Sequence, residues 1–310
     1  MLGYEALRTH AAWKDLSARG RILAHGEDNT RLLHAMSSNH VQALAEGQGC
    51  YAFFLNAQGR IQGDATILRV GADLLIDVEA VAAQRIFHHL DQYIIADDVT
   101  LEDLAESHFE IGIEGPAALE VAGELGVPAP EGIVRFAGGY VARLSETGLP
   151  GVRLILPVAE RETWIGKLQG VEQADDEAWE VVRHEQGKPR FGVEILEKHL
   201  IQETRLLHGV HFSKGCYLGQ EIVERVRARG AVHKGLAAIS IETATPPALD
   251  TEVLGEKGKV GNLLSVVYSP AEGKTIAIAM LAVDALSGTQ PMTVGGVSAS
   301  LRASSSFAGH

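Results

Sequence analysis

Apolar and polar residues alternate in short blocks along most of the chain, interrupted by a few stretches at helical spacing. Arg21 to His25 reads as a strand. After Gly26-Glu27-Asp28, either Asp28 or Asn29 can cap a helix with Leu32, Leu33 and Met36 on one side, and Ser37-Ser38-Asn39 ends it. Cys50 to Leu55, the turn Asn56-Ala57-Gln58-Gly59, Arg60 to Val70 and Leu74 to Val78 form an antiparallel meander. Ala80 to Tyr93 carries Val81, Ile86, Leu90 and Tyr93 near the spacing of one helical face.

The order then recurs. Phe109 to Ile113 is a strand, Gly115-Pro116 opens a helix through Leu125, and strands follow near Ile133, at Tyr140 to Leu144 and at Val152 to Pro157. A helix is expected over Glu160 to Leu168. Strands joined by tight turns and mixed with helices indicate α+β lobes rather than a parallel doubly wound sheet. Beyond about Ala231, the segments Gly235 to Ile241, Val260 to Tyr268, Thr275 to Val283 and Met292 to Leu301 are evenly spaced, as in a small β-barrel or sandwich. Ala303 to His310 is expected to fray.

The chain's 310 residues exceed what one hydrophobic core usually serves, which predicts two or three domains. A net charge of -13 disfavours non-specific attraction to nucleic acid or anionic membranes, so any bound anion needs a local patch. Two cysteines, Cys50 and Cys216, are too few for a disulfide framework or for a standard iron–sulfur cluster within the chain. No apolar leader or membrane-length run is present, and a cytoplasmic, soluble protein is expected. Neither a G-x-G-x-x-G nor a P-loop motif supports a nucleotide reading.

Chemistry gathers in two segments. Ser213-Lys214-Gly215-Cys216-Tyr217-Leu218-Gly219-Gln220-Glu221 places a thiol beside Lys214 and ahead of a helix from Gln220 to Val226. Both features favour a thiolate, and the alternative is a small buried hydrophobe. The five basic residues Lys214, Arg225, Arg227, Arg229 and Lys234 outweigh Glu221 and Glu224 in the same stretch, either as a solvated face or as a pocket for a carboxylate or phosphate. In Asp175 to Pro189, a helix starts at the two aspartates, has Trp179 and Val182 on its apolar side, and stops at Gly187 and Pro189. Glu185 then lies at the dipole's negative end, where helix stability does not explain it. It is either a surface residue without a role or a carboxylate able to accept paired N–H bonds from a ring such as a 2-aminopyrimidinone. His208 and His211 with Cys216, and His88-His89, match no familiar zinc spacing, and no metal is assigned.

Lys214-Gly215-Cys216-Tyr217-x-Gly219-Gln220-Glu221 resembles the K-G-C-Y-x-G-Q-E signature of the YgfZ family of folate-binding proteins, relatives of the aminomethyltransferase (T-protein) of the glycine cleavage system. Gln202-Glu203-Thr204, Gly209-Val210-His211-Phe212, Gly26-x-Asp28, Asn39 and Asn56-x-x-Gly59-Arg60-Ile61 extend the resemblance. Trp179 with Glu185-Gln186-Gly187 is similar to the family's W-x5-E-A-G, and Arg183-x-Glu185-x-Gly187 to the T-protein's R-x-E-x-G. The resemblance implies two α+β lobes, interwoven over residues 1–231, around a central tetrahydrofolate pocket, with a C-terminal β-barrel over 232–310. It implies that Cys216 is the functional thiol with Lys214 beside it, that Glu185 holds the pterin and that Trp179 walls it. Arg183, Tyr217, Gln220 and Arg229 complete the implied folate contacts.

The implied role is a tetrahydrofolate-binding factor that serves the assembly or repair of iron–sulfur proteins. Its partners would be folate and iron–sulfur client or assembly proteins, with no nucleic acid and no membrane. The alternatives are a tetrahydrofolate-dependent aminomethyltransferase and a non-catalytic, folate-stabilised scaffold. Arg19 and Arg21 stand where some family members have a tryptophan, and Gly59-Arg60-Ile61-Gln62-Gly63-Asp64 corresponds to the T-protein stretch that carries an aspartate pair after G-G-I. Asp64 is thus the remaining carboxylate of that segment. T-proteins usually carry K-G-D-F-x-G at the cysteine motif, which separates the two subfamilies.

Overall fold

The computed structural model describes residues 1–230, 232–288 and 290–307. α1 (Tyr4–Thr9) and β1 (Ala12–Asp15) open the chain. β2 (Gly20–His25), α2 (Asn29–Met36), β3 (Gly49–Leu55), β4 (Ile61–Val70), β5 (Asp73–Val78), α3 (Ala80–Asp91) and β6 (Thr100–Asp103) follow. β2 to β6 form a five-stranded antiparallel sheet ordered β3-β4-β5-β2-β6. Phe54, Ile67 and Ile76, on one face of the sheet, join Leu33 of α2 and Ile86 and Leu90 of α3 in the largest core.

The next elements are β7 (His108–Glu114), α4 (Ala118–Glu124), β8 (Ile133–Phe136), β9 (Gly139–Ala142), β10 (Gly151–Pro157), α5 (Arg161–Lys167), β11 (Glu172–Gln173) and α6 (Asp176–Glu185). Here the sheet order is β11-β1-β7-β10-β9-β8, so the chain's first strand sits between two strands made far later. β1 pairs antiparallel with β7 and parallel with β11, which interleaves the two sheets along the sequence.

After α7 (Ile201–Thr204) and α8 (Gln220–Arg229), a closed barrel is built from β12 (Lys234–Ile241), β13 (Glu252–Gly255), β14 (Gly258–Ser269), β15 (Lys274–Ala282), β16 (Met292–Val294) and β17 (Val297–Leu301). Closure removes exposed sheet edges. Leu236, Ala238, Ile278 and Met280 of the barrel also join the first sheet's core, so the barrel is packed onto the rest of the chain.

Three expectations change. Met292 to Leu301 is a hairpin rather than one strand, turning at Gly295-Gly296, and β13 supplies a barrel strand that its short, polar pattern hid. Ser305–Phe307 forms a 3-10 turn with Phe307 buried in the main core, contrary to the expected fraying. The rest of that expectation falls on residues 308–310, and the texture change at Ala231 also lies outside the described residues. No helix among the described residues is long and apolar enough to cross a membrane.

Candidate functional site

A cavity of about 570 Å³ lies where the two sheets meet. Tyr51 of β3, Asp64 of β4 and Asp77 of β5 line it from one sheet, and Arg153 of β10 from the other. The loop at Arg143 to Gly148, the segment Lys188 to Phe191, His208 and Ser306 complete the wall.

Its floor is a buried ion cluster. Arg19 grips Asp77 through two bonds of 3.0 and 2.8 Å, reaches Glu146 at 2.6 Å and bonds Glu79. Arg153 bridges Asp77 at 3.0 Å and Glu110 at 2.8 Å, and Arg21 backs Glu110 at 3.2 Å. Removal from water would cost each of these charges several kcal/mol alone, which is why they occur as a lattice of bidentate and shared pairs. Burial works to raise the carboxyls, but Arg19 and Arg153 overcome it, lowering Asp77 and bringing Glu146 to about 2.

Asp64 differs from these neighbours. It is buried, and among the described residues its hydrogen bond comes from the Tyr51 hydroxyl, which donates to Oδ2 at 2.6 Å. No cation among the described residues touches it. Burial pushes its pKa up to about 6, with Glu79 adding to the rise and the Tyr51 bond, Arg19 and Lys188 opposing it. A carboxyl that titrates close to neutrality in a concave site can hold or release a proton during a reaction. Lys188, whose ammonium donates to the Ser145 carbonyl, is pulled down by burial.

None of the eight residues implied by the family resemblance lines this cavity. Glu185 accepts bonds from Tyr4, from Ser269 at 2.6 Å and from Arg8 at 2.9 Å, so its oxygens are occupied where α1, α6 and the barrel meet. The carboxylate thus escapes the helix dipole's penalty through these local donors rather than through a ligand. Arg183 is locked to Glu194 at 2.9 and 3.0 Å and to Glu180 at 2.8 Å. Trp179 is fully buried, yet its indole N–H donates to Glu146 at 2.9 Å and thereby braces the cavity wall from behind.

Cys216 is exposed, which removes the buried-hydrophobe alternative, and the helix starts four residues later at Gln220, at the N-terminus of α8. Lys214 turns inward, donating to the His34 carbonyl and lying over the buried Tyr217 ring at 4.8 Å. Arg225 and Arg227 pair with Glu221 and Glu224 on their own helix, while Arg229 is exposed at its end. The basic stretch is therefore largely a solvated, self-compensated helix face. The motif's second glycine is architectural. Gly219, at φ 82°, caps α8 where a Cβ would meet the Asn56 carbonyl oxygen at 2.7 Å. It seats α8 against the β3–β4 turn, on the hairpin that carries Asp64.

Comparison with known proteins agrees with this architecture. Residues 3–131 match the GCVT N-terminal domain. The chain is 29% identical over 286 residues to an aminomethyltransferase of Pelodictyon phaeoclathratiforme, covering 86% of this chain and 78% of the relative. A putative chloroplastic transferase of Arabidopsis thaliana is 27% identical over 265 residues, or 81% of this chain, which spans 60% of that relative's length. The crystal structure of glycine cleavage system aminomethyltransferase T from Bartonella henselae superposes with a TM-score of 0.90 at 19% identity, over 98% of this chain and 88% of that one. These likenesses support the GcvT-like superfamily. The GcvT-like fold includes the closed six-stranded barrel, and its mixed α+β character is as expected from the sequence. The YgfZ-type subfamily is not distinguished by these matches.

Sequence reasoning singled out Asp64 and noted Arg19, but missed Tyr51, Glu79, Glu146 and Lys188. Glu79 follows directly on β5 and Glu146 lies in a Ser-Glu-Thr-Gly turn, so a polar residue at the end of an apolar strand was the available signal.

Proposed function

We propose that the protein binds a reduced folate in the central cavity and transfers a one-carbon group there, in the manner of an aminomethyltransferase, with Asp64 as the carboxylate at the reacting centre. The observation that carries this reading is Asp64 itself: a buried carboxyl on the cavity wall, held by one tyrosine and, among the described residues, neutralised by no contacting cation. The named relatives are transferases, which favours this reading over an iron–sulfur role.

The donor set fits the group. A cavity of about 570 Å³ is within the range used for small-molecule sites. The rings of Tyr51 and Phe191 offer apolar faces to a flat heterocycle, and Asp64, Glu79 and Glu146 offer carboxylate oxygens to its N–H groups. Arg143, exposed at the rim, and Arg190 suit the anionic tail better than Arg229 does. Tetrahydrofolate, when bound, would supply the nitrogen that takes up the carbon unit. Asp64 would hold or move the proton, and the Arg19 cluster would keep the surrounding charges fixed.

Titration with tetrahydrofolate tests the pocket, and ammonia release from an aminomethyl-lipoyl carrier tests the transfer. Saturable binding in the wild type, with turnover lost and binding retained in Asp64→Asn, is expected. An absence of saturable binding would remove the reading. A second reading, a folate-binding factor for iron–sulfur proteins acting through Cys216, draws on the exposure of that thiol outside the cavity. It requires Cys216→Ala to abolish rescue of a deletion strain while leaving folate affinity intact.

A further inference from the structure

Tyr51 and Asp64 are diagonal neighbours on one face of the β3–β4 hairpin, with Tyr51 opposite Thr66 and Asp64 opposite Phe53. That register brings the phenol to Oδ2 and, among the described residues, leaves the carboxyl's second oxygen without a bond from the protein. The tyrosine is itself tightly fixed. Its ring meets Phe53 at 5.3 Å in a T-shaped contact and His208 at 5.2 Å in a tilted one. Asn39 Nδ2 donates to the Tyr51 carbonyl at 2.8 Å and to the His208 carbonyl at 2.9 Å, tying β3 to the 3-10 turn at Leu207–Gly209.

The same turn approaches so closely that a Cβ on Gly209 would meet Phe53 Cε2 at 2.8 Å and Tyr51 Cδ1 at 2.9 Å. Ser38 completes the clamp, donating to the Gly209 carbonyl at 2.5 Å and accepting from the Phe53 amide at 2.8 Å. Ser38, Asn39 and Gly209 do not line the cavity, so their bonds serve the residues that do.

We propose that Tyr51 is the positioning residue for Asp64, and that Asn39, locking Tyr51 and His208 into one unit, sets both the direction in which the carboxyl faces the cavity and the pH at which it ionises. The role in turnover rests on the transfer reading above, whereas the effect on Asp64 does not. The charged and titratable groups that act most on Asp64 are Tyr51 on β3, Glu79 before α3, Arg19 before β2 and Lys188 after α6, and Asp77 on β5, Arg153 on β10, Arg143, Glu146, Arg190 and His208 line the same cavity. Of these only Tyr51 makes a hydrogen bond to it, and that bond favours the ionised carboxyl.

The test is the titration of the Asp64 carboxyl carbon by NMR in aspartate-labelled, ligand-free protein. Tyr51→Phe is expected to move the midpoint upward by about one pH unit. Asn39→Ala, which removes no cavity side chain, should move it in the same direction by less. An unmoved midpoint in both variants, with native amide spectra, overturns the proposal. In tetrahydrofolate-dependent transfer, the acid limb of kcat should shift by the same interval in Tyr51→Phe while KM holds, and a limb that stays put would deny Tyr51 its part in turnover. If the midpoint moves but the wild type shows no folate-dependent transfer, the positioning stands and the transfer reading falls.

Discussion

Among the described residues, two buried carboxylates each accept a hydrogen bond from a tyrosine, and they differ in how fully the protein partners them. Glu185 takes the Tyr4 hydroxyl together with Ser269 and Arg8, so every side of it is filled by protein donors. Asp64 takes only the Tyr51 hydroxyl among the described residues and faces the cavity. Glu185 joins α1, α6 and the barrel, and its three protein donors make it a fastening. Asp64 carries its charge with incomplete compensation, which costs stability and leaves capacity for a ligand. The number of partners, more than burial or residue type, separates an acid fixed by the protein from one left open to a ligand.

Replacing each in turn should break the symmetry. Asp64→Asn should lower kcat/KM of the proposed transfer by about 100-fold or more, the scale of removing a positioned acid–base group, in a steady-state assay. Glu185→Ala should leave tetrahydrofolate affinity near the wild-type value. It should destabilise the fold by about 3 kcal/mol in urea unfolding, because the Tyr4 and Ser269 hydroxyls lose a buried acceptor and Arg8 its counter-charge.

Asp64→Asn should also stabilise the protein at neutral pH by roughly 2–3 kcal/mol. The folded-state pKa of about 6 stands above the ordinary aspartate value of 3.8. The native state therefore binds this proton more tightly, and the stability associated with it is full below about pH 4 and lost as pH rises through about 6. Urea midpoints of wild type and Asp64→Asn should converge on acidification over that window. The smallest effect concerns the thiols: Cys216 should alkylate about tenfold faster than Cys50, which is half-buried and pushed by burial to about 11. Comparable rates in the folded protein would contradict the exposure difference.

The local elements were legible because β3, β4, β5 and α3 obey simple periodicities, and the meander follows from the turns at Asn56–Gly59 and Gly71–Asp73. β1, β6 and β11, of two to four residues, are too short for a period and are strands only because a partner awaits them. In the site, Asp64 was legible only through the resemblance, as the carboxylate left in the stretch where T-proteins carry an aspartate pair. Tyr51 was not, since its function depends on the β3–β4 register and on a turn more than 150 residues away, at His208 and Gly209. Glu185 misled for a related reason. Its position at a helix C-terminus asked for a compensating donor, and the donors Tyr4 and Arg8 lie 181 and 177 residues upstream. The cysteine segment, the most distinctive in the sequence, occupies a loop that exposes Cys216 but buries Lys214 and Tyr217, and whose glycine seats a helix on the Asp64 hairpin.

The place of β1 bears on how the chain matures. Residues Ala12–Asp15 precede both of their partners by a long way: the antiparallel one is completed only at Glu114 and the parallel one at Gln173. Until then the buried Ala12 and Trp13 have no sheet to join, while β2 to β6 can close on their own. The pairings of the first sheet thus all lie within residues 20–103, whereas β1 is held by pairings that span about 100 and 160 residues, contacts with a high loop-closure cost.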